Sequence, residues 1–450
     1  MIELSESSMS SKEDKPESQN NNQYYRLNPN LAGLKLSPTL KINQLCKEMA
    51  ANGKRVYKLG LGQSPFPIPD AVVNALKLFA TQKEYQHVQG LPELRQAVAD
   101  FHQKKDGISF HPDNIIIGPG SKELLFLLQM VFDGEVLIPS PSWVSYLPQA
   151  QIIGNIVHII HTNKEAHWRL SPQLLNDFCK SRKKEYSGSY LLILNYPGNP
   201  DGITYKPEDI KALAKAAAEN NIYILSDEIY GQLHHQGNHV SIAKYYPEGT
   251  IVSSGLSKWC GAGGWRLGTF SFPLALRWLL EAMTVVASET FTAVSAPIQF
   301  AAIQAFHGSA EIENYLSHAR QILSGLGVKV SEILRNGNID VNDPSGAFYL
   351  FLDFSKLESG LKKRGIINSN ILCNKLLEET GVAILPGVDF NRPEEELTAR
   401  LAYVDFDGAK ALTASYSIPL HESLPQDFIN RYCFSIIEAA HIITSWANQK

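Results

Sequence analysis

Between about residues 64 and 325, short apolar runs rich in β-branched residues alternate with longer stretches of helical period. The strands this predicts fall at 114–117, 135–138, 156–161, 190–194, 222–225, 250–253 and 267–272. Helical patterns lie between them, among them 122–132 and 207–220. The second opens on Pro207 with Glu208 and Asp209 in its first turn, where the helix dipole favours anions. Runs without polar alternation belong to strands buried on both faces, and strands separated by helices pair in parallel. The expected fold is therefore α/β: a three-layer sandwich around a mostly parallel seven-stranded sheet. In such sheets ligands bind beyond the C-terminal strand ends, which directs attention to a few loops. After about position 326 the pattern becomes helix (328–335), strand (347–353), helix (369–380), two strands (381–385 and 399–404), then helices. That indicates a smaller α+β domain. The expected division is a flexible tail at 1–23, a segment at 24–63 joining the small domain, a large domain at 64–325 and a small domain at 326–450.

The tail is Ser, Asn, Glu and Lys with almost nothing to bury, so ordering it would cost backbone entropy without return. Its acidic residues and lack of an apolar segment match neither a secretory nor a mitochondrial leader, so a cytoplasmic location is expected. With 41 Lys and Arg against 45 Asp and Glu, the net charge of −4 gives no electrostatic reason to bind nucleic acid or an acidic membrane. Every long apolar run is interrupted before bilayer length. The five cysteines are scattered without paired spacing and read as free thiols. His158 and His161, three apart in a strand, point to opposite faces and do not make a metal pair, so no metal is expected. The pair His234-His235 is expected in a polar loop.

Four features sit at strand ends. Ser226-Asp227-Glu228-Ile229-Tyr230 follows the strand at 222–225 and brings a carboxylate to the mouth of the sheet; taken alone, Asp227 could equally cap a helix or turn. The stretch from Gly255 to Gly268 is glycine-rich and delivers Lys258 and Arg266 to the same edge, although Lys258 by itself would pass for a surface lysine. Here Arg266 stands where a dinucleotide motif needs its third glycine, and no P-loop is present. Gly118-Pro119-Gly120-Ser121-Lys122 is a tight turn into a helix, either a phosphate cradle or a plain capped helix start. Asn195-Tyr196-Pro197-Gly198-Asn199-Pro200-Asp201-Gly202 is a rigid loop that can aim the Asn199 amide at a ligand, or simply turn.

In order and spacing these four features resemble the class I/II aminotransferases, fold-type I enzymes that use pyridoxal 5′-phosphate, over about residues 57–400. The resemblance implies that Lys258 forms the Schiff base with the cofactor aldehyde and carries the substrate proton. Asp227 would hold the pyridine nitrogen protonated, and Tyr230 and Asn199 would bond the ring oxygen. Trp143 would stack on the ring. Gly120, Ser121, Lys122 and Arg266 would bind the phosphate, together with Tyr85 lent by a neighbouring subunit, so a homodimer with shared sites is implied. Arg400 would grip the substrate α-carboxylate, assisted by Gly62, with Trp143 and Asn199 also lining the substrate site. The implied activity is ping-pong amino transfer from an L-amino acid, aspartate or aromatic, to a 2-oxo acid such as 2-oxoglutarate. A PLP-dependent β-lyase of the same fold is the alternative, and a non-enzymatic regulator a third possibility. Two departures stand out. Gly255 replaces a phosphate-binding serine, with Ser254 and Ser257 as candidate substitutes, and Asp201 replaces the usual threonine after Asn-Pro.

Overall fold

A computed structural model describes residues 28–183, 186–420, 422–425 and 427–449; the predicted tail lies outside them. All seven expected strands join one sheet. From edge to edge they run Ile115–Gly118, Gly268–Ser271, Thr250–Gly255, Ile222–Asp227, Tyr190–Asn195, Glu135–Ser140 and Val157–His161. Neighbours are parallel except Gly268–Ser271, which is antiparallel to both of its partners. One edge strand and the central strands are buried on both faces: Ile115, Ile116 and Ile117 of the edge strand, like Leu191 and Leu192 nearer the middle, have no exposed surface. Truncating one such residue to alanine would cost about 2–5 kcal/mol. Helix Ser121–Val131 packs Leu124, Leu125, Leu127 and Leu128 against one face, and helix Pro207–Glu219 packs Ile210, Leu213, Ala214 and Ala217 against the other.

Register decides where the polar residues emerge. Asn195 is paired with Asp227, and Asp227 with Ser253, so three neighbouring strands end side by side at one edge of the sheet.

A second, three-stranded antiparallel sheet has the order Leu385–Pro386, Thr398–Ala402, Tyr349–Asp353. Two readings of this region change. The predicted helix at 328–335 is the end of a 27-residue helix, Ala310–Asn336. At Gly327 the helix passes close to Pro344 and Tyr403; a Cβ there would lie 2.5 Å from Pro344 Cγ, so the glycine serves packing. The predicted strand at 381–385 divides. Gly381, at φ +77, ends helix Ser369–Thr380. Val382–Ala383 then pairs with Tyr57–Lys58, and Leu385 with Arg400 in the other sheet. The histidine pair also departs from expectation: His234 is buried, and His235 bonds the backbone carbonyls of Pro344 and Ala347 rather than facing water.

Candidate active site

The strand ends, helix Ser121–Val131 and the second sheet enclose a cavity of about 360 Å³. It gathers Gly62, Ser121, Lys122, Trp143, Asn199, Asp227, Tyr230, Ser257, Lys258, Arg266 and Arg400, drawn from all four motifs, from the distant strand Thr398–Ala402 and, for Gly62 and Trp143, from separate loops. Gly120, beside Ser121, shapes the wall next to Arg266. Tyr85 is not brought in: it is 93% exposed.

Lys258 lies just past the strand Thr250–Gly255, and its Nζ donates to the Gly62 carbonyl at 2.8 Å. Burial, reinforced by the nearby charges of Arg400 and Arg266, pulls its pKa down to about 8 against the opposing pull of Asp227. A far larger fraction of the amine is thus unprotonated near neutral pH than for a surface lysine, as a nucleophile or base requires. Gly62 has to be glycine because a Cβ there would fall 1.8 Å from the Tyr349 hydroxyl.

Asp227 is buried, and burial pushes its carboxyl pKa up. Hydrogen bonds from Tyr146 Oη at 2.6 Å, from the Ile229 N–H and from Ser253 Oγ oppose that rise. The adjoining carboxylate of Glu228 adds to it. Tyr230 Oη and Tyr349 Oη share a 2.8 Å hydrogen bond, and burial keeps Tyr230 a neutral phenol. Trp143 stands edge-on to Tyr146, with Lys122 Nζ 5.2 Å from its ring centroid.

Arg400 is 1% exposed and donates to Asn199 Oδ1 at 3.0 Å and to the Gly60 carbonyl, while its Nε is buried with no partner. Asn199 is in turn held by its N–H bond to Asn195 Oδ1, and Asn195 Nδ2 bonds the Asp227 carbonyl.

Arg266 adopts φ +56, a left-handed conformation that a bulky residue holds only when its surroundings enforce it. Its guanidinium bonds the Gly263 and Pro119 carbonyls and Ser257 Oγ. Gly120, at φ +94, admits it: a Cβ there would be 1.9 Å from Arg266 Nη2. No side chain caps helix Ser121–Val131, so its first N–H groups face the same spot. A Cβ on Gly255 would meet the Leu267 carbonyl at 2.7 Å, so this backbone has no room for the serine found at that place elsewhere. Of the two candidate hydroxyls, Ser257 lines the cavity.

Four cations, Lys122, Lys258, Arg266 and Arg400, line the cavity against one anion, Asp227. Such an excess in a recessed site accepts a phosphate and carboxylates, and the uncapped helix start beside Arg266 offers the phosphate a place. The donor set therefore fits pyridoxal 5′-phosphate.

Several lining residues carried no recognisable signal. Tyr146 follows Trp143 by three residues and is turned back by the helix Tyr146–Ile153. Tyr349 reads as strand core, and Thr39 stands at the start of helix Pro38–Ala51, remote in sequence from every motif.

Asp201 braces the Asn199 loop from beneath. Its Oδ1 accepts the Ile203 N–H at 3.2 Å and lies against Gly198 Cα, where a side chain would collide with it. Burial raises its pKa to about 7, with the Ile203 N–H and Arg169 opposing. A carboxyl raised on folding binds more protons folded than unfolded between about pH 4 and 7, so its contribution to stability falls as pH rises through that window. Asp201→Thr is expected to raise the unfolding temperature at pH 8, by an amount equivalent to about 2–4 kcal/mol, and to change it little at pH 4. Thermal unfolding at the two pH values measures the difference.

The chain matches the family model for aminotransferase class I and II over residues 54–403. It is 33% identical to an aspartate aminotransferase of Bacillus sp. (strain YM-2) over 379 residues, covering 82% of this chain and 92% of that one. It is 30% identical to an asparagine–oxo-acid transaminase of Streptococcus mutans over 377 residues, 82% of this chain and 92% of the other. Among solved structures, an aspartate aminotransferase from Thermus thermophilus with maleate superposes with a TM-score of 0.78 at 27% identity, over 93% of this chain and 99% of that one.

Proposed function

Because the chain belongs to the class I and II aminotransferase family, we propose that it transfers the amino group of an acidic L-amino acid, aspartate foremost, to a 2-oxo acid such as 2-oxoglutarate. The enzyme is a transaminase that depends on pyridoxal 5′-phosphate, and its substrates are amino and 2-oxo acids. The β-lyase alternative is not favoured, since the relatives are transaminases.

The excess of cations in the cavity carries the choice of an acidic donor. Arg400, with the Gly62 amide, takes the α-carboxylate, and the Arg266 guanidinium, Ser257 and the N–H groups of Ser121 and Lys122 take the phosphate with Gly120 giving them room. That leaves the Lys122 amine beside Trp143, where the charge acting on it is a second cation, Arg266. A second substrate carboxylate would supply the opposite charge. Trp143 would stack on the cofactor ring, Asp227 would hold its nitrogen protonated, and Tyr230 and Asn199 would bond its ring oxygen. When bound, the cofactor supplies an aldehyde carbon for amines and a ring that accepts the electrons left at the substrate Cα. Lys258 would carry the proton taken from the substrate Cα, and its lowered pKa suits both taking and giving it up.

We further read Tyr85, exposed on its own subunit, as the phosphate contact of a homodimer partner, and the two sheets as the cores of a large and a small domain. The five free thiols support a reducing, cytoplasmic setting. Among the described residues no helix is long and apolar enough to cross a membrane.

Donors can be ranked by kcat/KM with 2-oxoglutarate across aspartate, alanine, methionine and phenylalanine. Aspartate is expected to lead by at least about tenfold, since a charged hydrogen bond is worth about 1.5–3 kcal/mol. Lys122→Met should erase that lead while leaving alanine nearly unaffected. An aromatic or neutral donor in first place would overturn the acidic assignment.

A further inference from the structure

Directly behind Asp227 lies a buried ion pair that the proposed chemistry does not use. Glu228 and His239 have side chains 5% and 5% exposed, and His239 Nε2 meets Glu228 Oε2 at 2.9 Å. The other carboxylate oxygen accepts from Ser226 Oγ at 2.6 Å and from Ser241 Oγ at 2.5 Å. The Glu228 N–H is fixed to the Ser253 carbonyl, and its own carbonyl accepts the Gly231 N–H. The His239 ring packs beneath the turn that carries Tyr230: a Cβ on Gly231 would lie 3.0 Å from His239 Cδ2, and Tyr196 stacks obliquely on the ring at 5.2 Å.

Charge explains the arrangement. Glu228 follows Asp227 in the chain, and two like charges this close in a dry interior raise each other's protonation. Burial disfavours charge on both members of the pair. It is outweighed at Glu228 by the His239 charge and the hydrogen bonds from His239, Ser226 and Ser241, and at His239 by Glu228. Other titratable groups acting nearby are Asp106, which favours the charged ring, and His234 and Tyr196. His239 Nδ1 is buried without a hydrogen-bond partner, so the ring depends on Glu228 for its only strong contact.

We propose that His239 is a positioning residue: paired with Glu228 as an imidazolium, it cancels the one negative charge adjoining Asp227, so that Asp227 alone sets the field at the cofactor ring nitrogen. This rests on the placement of Asp227 against the cofactor and extends it to a pair outside the cavity.

The test is a pH titration of the visible absorbance of the lysine-bound cofactor in holoenzyme, which reads local charge without turnover. Wild type, Glu228→Gln and Glu228→Gln/His239→Gln all leave the spot electrically neutral, because a histidine deprived of its carboxylate loses its proton. Only His239→Gln leaves an unbalanced glutamate. Its titration midpoint is expected to rise by about one pH unit, with the other three within about 0.3 units of one another. A purely structural role would instead make the double variant at least as displaced as the single one, and that result, or an unmoved His239→Gln midpoint, overturns the proposal. Should His239→Gln fail to fold, the remaining variants still decide: both must bind cofactor with a wild-type midpoint, and displacement of either refutes it. Asp227→Asn separates the two levels. If it leaves the midpoint unmoved, the placement of Asp227 is itself wrong; if it lowers the midpoint while His239→Gln has no effect, only the role of His239 falls.

Discussion

Replacing Lys258 with alanine is expected to lower turnover by roughly three to four orders of magnitude while leaving the fold intact. The side chain makes a hydrogen bond to the Gly62 carbonyl at the cavity wall and lies over the Tyr230 and Phe348 rings at 5.6 and 5.9 Å, and those rings keep their packing on each other without it. What is lost is a covalent anchor and a proton carrier in one group. A chemical readout accompanies the kinetic one: borohydride treatment of wild-type holoenzyme should leave a cofactor mass on the peptide containing Lys258, and none on that segment of the variant. Turnover within tenfold of wild type, or a tag on another lysine, would remove Lys258 from its role.

Asp227→Asn should cost roughly two to three orders of magnitude in kcat. Asparagine keeps the size of the side chain and can still accept from Tyr146 Oη, losing the charge and the acceptor that faces the Ile229 N–H. A neutral amide cannot hold a ring nitrogen protonated, and the electron demand of the ring weakens accordingly. Asp227→Glu retains the charge but must displace the hydrogen bonds to Tyr146, Ile229 and Ser253, so it should fall between. Tyr146→Phe removes one of those bonds and should cost only about tenfold. If Asp227→Asn and Tyr146→Phe proved equally mild, orientation rather than charge would be what the site demands of Asp227.

The large sheet was legible because strands buried on both faces leave an unbroken apolar record, as in Ile115–Gly118 at the edge and the parallel strand Tyr190–Asn195. Its ends were legible because glycine, proline and charge stand out against that background. Local signals failed where a distant neighbour decided the matter. The helix expected only at 328–335 runs on from Ala310, with Gly327 inside it packed against Pro344 and Tyr403. Residues 381–385 looked like one strand, yet the chain leaves Tyr57–Lys58 and joins Arg400 within a few residues. His234 and His235 read as a polar loop, but the segment from Pro344 to Ala347, which leads into the second sheet, packs against them. The aromatic residues that orient the site, Tyr146 and Tyr349, resemble any core tyrosine until their hydroxyl partners are known.

Asp227 and Lys258 are borne by the seven-stranded sheet, whereas Arg400 belongs to the three-stranded one and reaches across to Asn199. A small sliding of one sheet past the other would therefore retune the grip on an incoming acid and leave the catalytic base and its counter-charge untouched. Selectivity in this architecture can drift through mutations at the seam between sheets, far from any reacting atom, without the lineage ever surrendering its chemistry.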